Sequence, residues 1–228
     1  LRKTEAAVDC GQADTVTPVV ITLPVNSTER WEQLEGMVVH FNQQLVVTDN
    51  YNLGRYGEIT VASQQLRIPT DVHPAGTAQA IALADENRRN RIVLDDVVSG
   101  QNPAHVRYPA PGLSFSNTLR NGDQLSPLTG IIDYSFNEYR ILPLTEPAFT
   151  SANPRVPEPQ LSYQGNIRVA SFNVLNYFNG DGNGGGFPTS RGAATLFEFE
   201  RQSAKIVNAL ATMNADIIGL IEIENDGF

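Results

Sequence analysis

Two apolar runs towards the carboxyl terminus constrain the fold of this chain more than any other feature. Residues 166–178 read NIRVASFNVLNYF, and residues 214–228 read NADIIGLIEIENDGF. Between them lie a glycine-rich loop and RGAATLFEFERQSAKIVNALATM. In the first run Ile167, Val169, Ser171 and Asn173 share one face, and Ala170, Phe172 and Val174 share the other. Both faces are largely apolar, so the strand is expected to be buried on both sides. Thr195 and Glu198 match a capping box, which places a helix start near Thr195. Phe199, Ile206, Leu210 and Met213, joined by Ser203 and Val207, fall on one stripe at helical spacing. Strand, helix and strand in this order predict a crossover between neighbouring strands of one sheet.

The upstream residues have a different rhythm. Residues 1–17 lack periodicity and read as a tail. Short β-like runs follow: VVITLP, WEQLEGMVVHF with Gly36 inside, QLVVT, GEITVA, RIVL, LTGIIDYSF with Gly130 inside, and YRILPL. Thr77 to Asn90 has high helix propensity and a charged end. Five or more short strands, internal glycines and one helix between the third and fourth strands describe a small Greek-key barrel spanning 18–144. Periodicity alone leaves another small barrel or a sandwich open. Residues 145–165 are Pro-rich and polar and read as a linker.

Composition limits the partners. The chain carries a net charge of −9, which argues against a broad basic surface for nucleic acid. It leaves open an enzyme in which a metal ion neutralises a phosphate. No apolar run approaches the roughly 18 residues of a membrane span. The single cysteine, Cys10, allows no intrachain disulfide within these residues.

Candidate chemistry falls in three places. Asn173 lies in phase with Ile167 and Val169. It is either a structural Asn bonding backbone, or a carbonyl oxygen aimed at a metal or a reacting phosphate. Glu222 ends the second apolar strand in phase with Ile218 and Leu220, at the carboxyl end where open α/β sheets bind ligands. A carboxylate there is either solvated or paired with a cation, and Mg²⁺ takes one or two carboxylates plus phosphate oxygens. Glu224 is a solvated strand end or a supporting ligand. The glycine-rich loop at 180–186 lacks the closing Glu of a calcium loop and the GK[ST] of a Walker loop. In the barrel, Tyr51, Arg55 and Tyr56 share one loop, and Arg88, Arg89 and Arg91 lie near the helix end. Aromatic and Arg groups together can stack bases and hold phosphates. Against this, residues 1–166 contain 12 Lys/Arg and 18 Asp/Glu.

VASFNVLNYF, EFERQSAKIVNAL and ADIIGLIEIEND together resemble the opening of the endonuclease/exonuclease/phosphatase superfamily, which includes DNase I and exonuclease III. The resemblance is closest to its bacterial extracellular nuclease branch. There a barrel of the oligonucleotide/oligosaccharide-binding type precedes the catalytic domain, and WEQLEGMVV, LVVTDNYNLGRYGE, RIPT and RIVLDD look like that barrel. The resemblance implies an OB-fold-like barrel, then at 166–228 the first strand–helix–strand segment of a DNase I-like two-sheet α/β sandwich. It implies that Asn173 is an active-site residue and Glu222 a metal ligand. It also implies Mg²⁺ or Mn²⁺, sometimes Ca²⁺, with DNA (or RNA) as the substrate, water as the nucleophile, and secretion. The family's other catalytic groups are expected downstream of Phe228, since His40, His73 and His105 all fall in the barrel. Two alternatives stay open: a phosphatase or phospholipid phosphodiesterase of the same fold, and a non-catalytic module binding nucleic acid or sugar.

Overall fold

The computed structural model describes residues 11, 15–98, 100–156, 165–181 and 186–225. The chain divides into two compact units, Leu1–Pro154 and Arg155–Phe228. The expectations for Cys10 and most of the tail, for 157–164 of the linker and for 182–185 of the glycine loop lie outside the described residues.

The first unit is mainly β. In chain order it contains β1 (Val19–Ile21), α1 (Glu29–Glu32), β2 (Val38–Phe41), β3 (Leu45–Asp49), α2 (Leu53–Tyr56) and β4 (Ile59–Ala62). Then come α3 (Pro69–Val72), α4 (Ala78–Arg89), β5 (Arg91–Leu94), β6 (Gln124–Leu125), β7 (Leu128–Ser135), β8 (Glu138–Pro143) and β9 (Phe149–Thr150). The nine strands form one mixed sheet in the order β1-β2-β7-β8-β5-β4-β3-β6-β9. The pairs β1/β2 and β5/β8 are parallel and the others antiparallel. Strands β2 and β3 are separated by only Asn42–Gln44, yet they stand at opposite ends of the run β2-β7-β8-β5-β4-β3. One bent stretch, residues 38–49, therefore supplies both ends, and the sheet curls back on itself.

Alternation explains which faces turn inward. Val39, Phe41, Leu45 and Val47 are fully buried, while His40, Val46 and Thr48 between them are only half-buried. Ile59, Val61, Ile92, Leu94, Ile132 and Ile141 extend the same core from the other strands. Each such side chain contributes about 1.5–3 kcal/mol on burial. Gly130 leaves β7 no room for a side chain, since a Cβ there would overlap Ile141 and the Leu142 carbonyl.

Three expectations change. WEQLEGMVVHF is not one strand: Glu29–Glu32 is helical and the strand starts at Val38. Trp31 and Leu34 are both buried and lie three residues apart, which is helical spacing rather than alternation. Gly36, at φ +75°, then turns the chain, and its N–H donates to the Ile132 carbonyl. The helix α4 lies between β4 and β5, so with β2 and β3 taken as one bent strand it separates the second barrel strand from the third. Its N-cap Thr77 accepts a hydrogen bond from the Ala80 N–H, as Ser/Thr caps do. The start of the Pro-rich stretch also belongs to the sheet, because β9 pairs with β6. Asp123 secures it: one carboxylate oxygen accepts from Ala152 N (3.0 Å) and Asn153 N (3.2 Å), the other from Arg120 N (2.8 Å).

Gly57 ends α2 in the left-handed region at φ +75°, and a Cβ there would overlap the buried Asp96 carboxylate. Gly57→Ala is expected to lower the stability of this unit by about 1–3 kcal/mol, from left-handed strain plus overpacking. Urea denaturation checks it, and an unchanged midpoint would show that the Asp96 side chain moves aside freely.

The second unit contains β10 (Val169–Tyr177), α5 (Leu196–Met213) and β11 (Ile217–Ile223). The two strands pair in parallel, Val169 with Ile217 through Asn173 with Ile221, as a crossover requires. Thr195 Oγ1 accepts from Glu198 N (3.2 Å), and Glu198 Oε2 accepts from Ala194 N (2.8 Å). The capping box thus forms with its return bond one residue early. Helix α5 covers one sheet face. Val174 and Ile206 are buried, Phe199 stacks on Tyr177 at 4.6 Å, and Tyr177 Oη lies 3.0 Å from Ser203 Oγ. Among the described residues nothing covers the other face: Val169 is 68% exposed and Ile217 57%. The strands are thus only partly covered, and on one side: Val174 is their one buried residue, Leu220 is still 38% exposed, and Val207 of the predicted stripe is exposed.

Candidate functional site

Two places in the molecule gather chemistry-bearing side chains, one in each unit. In the second unit strict alternation would separate Asn173 from Glu222. The register pairs Asn173 with Ile221 on one face, which leaves Glu222 in phase with Leu220 and Phe172 on the α5 side. The structure brings them together nonetheless. Asn173 Nδ2 donates to Glu222 Oε1 at 2.7 Å, and Asn176 N donates to Glu222 Oε2 at 3.1 Å. The backbone supplies the reason. Leu175, Asn176 and Glu222 all have left-handed φ, +58°, +49° and +65°, and the strand register shifts between Asn173 and Tyr177. Alternation fails at these residues, and both side chains turn to the carboxyl end of the strand pair. Left-handed φ is rare for residues such as Leu and Glu, and it clusters at functional sites.

Asn173 is held on both sides, because its Oδ1 accepts from Leu175 N at 2.8 Å. Its amide therefore fixes the Glu222 carboxylate while that group stays open to solvent. Each Glu222 oxygen accepts one hydrogen bond from the chain and keeps lone-pair capacity. Glu224 does not join this pair. Its Oε2 accepts from Asn179 N (2.7 Å) and Gly180 N (2.8 Å), so it anchors the start of the glycine-rich loop.

In the first unit a groove of about 840 Å³ opens on the sheet. The segment after β3, the ends of β4 and β5, and the β7–β8 hairpin form its walls. Tyr51 and Tyr56 line it, but they do not share one loop: Tyr51 lies in the turn after β3 and is 87% exposed, while Arg55 and Tyr56 belong to α2. Arg55 lies over the Tyr56 ring at 5.1 Å. Of the three arginines near the helix end, Arg88 and Arg89 pair with Asp85 and only Arg91 reaches the groove, where it pairs with Glu138 at 2.6 Å.

The groove floor holds a group that pattern reading missed. Arg140, 3% exposed, donates from Nη1 to Glu58 Oε2 at 3.0 Å and to Asp95 Oδ2, and from Nη2 to the Ser135 carbonyl at 2.9 Å. Burial opposes its charge, but the hydrogen bonds to Asp95 and Glu58 outweigh it and hold the guanidinium pKa above its ordinary value. Asn52 Nδ2 donates to the other Glu58 oxygen at 2.7 Å. The signal was present in YRILPL, an Arg inside an otherwise apolar strand. At the hairpin tip, Phe136 and Asn137 both have left-handed φ, +54° and +63°, as a two-residue turn demands. This turn holds the Phe136 ring 85% exposed at the groove mouth.

The β-sheet unit places the protein in a family. The profile described as Domain of unknown function (DUF8508) matches residues 20–154, more than half of the chain, and ends where the first unit ends. The chain belongs to that family. Neither a curated protein nor a solved structure matches it.

Proposed function

We propose that this chain is the amino-terminal part of a secreted, metal-dependent nuclease that hydrolyses phosphodiester bonds of DNA, and of RNA if the pocket admits the 2′-hydroxyl. The observation that carries this reading is the Asn173–Glu222 contact at the carboxyl end of two parallel strands. The resemblance assigns roles to these two positions, and strand alternation alone would have kept them apart. The curl of the sheet, with residues 38–49 contributing to both ends of the run β2-β7-β8-β5-β4-β3, supports reading the first unit as an OB-type barrel placed before the catalytic domain.

The residues present fit a hard divalent cation such as Mg²⁺ or Mn²⁺. Glu222 is an exposed carboxylate with free lone pairs, and such ions bind through one or two carboxylates plus substrate oxygens. Glu222 would hold the cation, which when bound stabilises charge on the phosphoryl oxygens. Asn173 fixes the carboxylate through its Nδ2. The backbone N–H of Asn176 holds the second oxygen, so both carboxylate oxygens are oriented before substrate arrives.

The full-length protein is expected to nick supercoiled plasmid DNA. Chelation should abolish the activity, and added Mg²⁺ or Mn²⁺ should restore it. Cleavage that persists in excess chelator would overturn the reading. Turnover of a phosphomonoester or a phospholipid without DNA cleavage would transfer the site to the phosphatase branch.

A further inference from the structure

The groove of the first unit has a charge balance that the proposed nuclease does not use. Five carboxylates line it, from Asp49, Glu58, Asp95, Asp133 and Glu138, against two guanidinium groups, from Arg91 and Arg140. Both guanidinium groups are already engaged: Arg140 by Glu58 and Asp95, Arg91 by Glu138. Asp49 and Asp133 have no cationic partner among the described residues. Asp49 accepts only from the Tyr51 N–H (2.8 Å), and Asp133 from the Ser135 hydroxyl (2.8 Å). A polyanion entering here would meet a surplus of like charge, so the groove is set against the phosphate backbone the second unit is proposed to cut.

The aromatic side chains point the same way. Tyr51 and Phe136 stand almost fully exposed at the groove mouth. The site's rings already carry the chain's own guanidinium groups, Arg140 over Phe136 at 5.2 Å and Arg55 over Tyr56 at 5.1 Å. An aromatic face beside uncompensated carboxylates recognises a cation doubly, through the ring quadrupole and through charge-assisted hydrogen bonds. Phe136 sits at the tip of the β7–β8 turn with its side chain 85% exposed, which leaves the ring open to contact.

We propose that this groove is a docking site for an arginine- or lysine-rich polypeptide segment. Its basic side chains stack on Tyr51 and Phe136 and pair with Asp49 and Asp133. The occupant is identified by charge complementarity: the site has carboxylates to spare and exposed rings, its two lining guanidinium groups are both paired, and Arg55, which has no ion pair among the described residues, lies beside it over the Tyr56 ring. The inference stands independently of the Asn173–Glu222 site. It would place the nuclease on DNA that is coated with basic protein, with the barrel holding the protein and the second unit addressing the nucleic acid.

The test is fluorescence anisotropy with the full-length protein and three labelled probes: an oligo-arginine peptide, a single-stranded oligothymidylate, and a neutral oligosaccharide. Oligo-arginine is expected to bind best, and to weaken with added salt. Phe136→Ala and Tyr51→Ala, which leave net charge unchanged, should each weaken it about fivefold. The double variant Asp49→Asn/Asp133→Asn should weaken it roughly tenfold. Asp71→Asn, on the exposed helix α3 away from the groove, should leave it unchanged. All these positions lie outside the buried core, and a retained thermal midpoint confirms folding. Equal binding by wild type and both aromatic variants would reduce the effect to general attraction by an acidic protein and overturn the proposal. Tighter binding of oligothymidylate or of the oligosaccharide would overturn it in favour of an ordinary OB-type ligand. DNA cleavage should survive all of these substitutions, so a failed groove and a failed nuclease reading give different results.

Discussion

Arg140→Met is expected to destabilise the first unit by about 3 kcal/mol, the lower end of the range for removing one partner of a buried ion pair. The lower end applies because Glu58 and Asp95 keep side-chain exposures of 19% and 16%, and can recover some hydration through the groove. Without the guanidinium the two carboxylates face each other with no cation between them. For a chain of this size the loss corresponds to a fall in Tm of roughly 10 °C. The measurement is urea denaturation followed by the fluorescence of Trp31. This is the single tryptophan, buried at 3% exposure in the first unit, so the signal is blind to the second. Restoring neutrality in the triple variant Arg140→Met/Glu58→Gln/Asp95→Asn should recover most of the loss. A cost below about 1 kcal/mol would mean that the triad behaves like a surface pair.

The second large effect concerns catalysis. Glu222→Ala in the full-length protein is expected to lower the DNA cleavage rate roughly 10²–10³-fold, the range for removing one preorganised electrostatic contact. Asn173→Ala should cost less, about 10–100-fold, because on the proposed reading it orients the carboxylate that would hold the cation. The two effects should not add, since Asn173 acts through Glu222. Glu222 is exposed, so the thermal midpoint should hold in both variants. A Glu222→Ala protein that cleaves at the wild-type rate would remove this residue from the site. If Asn173→Ala proves more damaging than Glu222→Ala, then Asn173 touches substrate directly.

How much of this was legible in the sequence depended on how local the determinant was. The crossover of β10, α5 and β11 could be read because its signals are periodic and contiguous, and Thr195 marks the helix start unambiguously. The meander strands were equally readable from alternation. The join of β2 and β3 at opposite ends of the run β2-β7-β8-β5-β4-β3 was not, because it depends on pairing across the chain, such as Val38 with Ile131 and Val46 with Ala62. Asn173 and Glu222 could be named from the resemblance, but their contact could not be derived from spacing. It requires left-handed backbone at Leu175, Asn176 and Glu222, residues whose side chains give no hint of it. Arg140 was passed over for the opposite reason. Its neighbours Ile141 and Leu142 made the strand look apolar, and its partners Glu58 and Asp95 lie 82 and 45 residues away. Trp31 misled by being apolar in a β-rich region, where only its spacing from Leu34 betrayed a helical turn.

The curl of the sheet through residues 38–49 has a consequence for how the protein behaves when concentrated. A curled sheet that reuses one strand at both ends leaves only its outermost strands unpaired on one side. Here these are β1 and β9, of three and two residues. Such short margins offer little template to another chain. Among the described residues the pair β10 and β11 has no such protection: strands of nine and seven residues each carry an unpaired margin and an exposed apolar face. Self-association of this stretch of polypeptide should therefore begin at residues 169–223, with the first unit keeping its own fold.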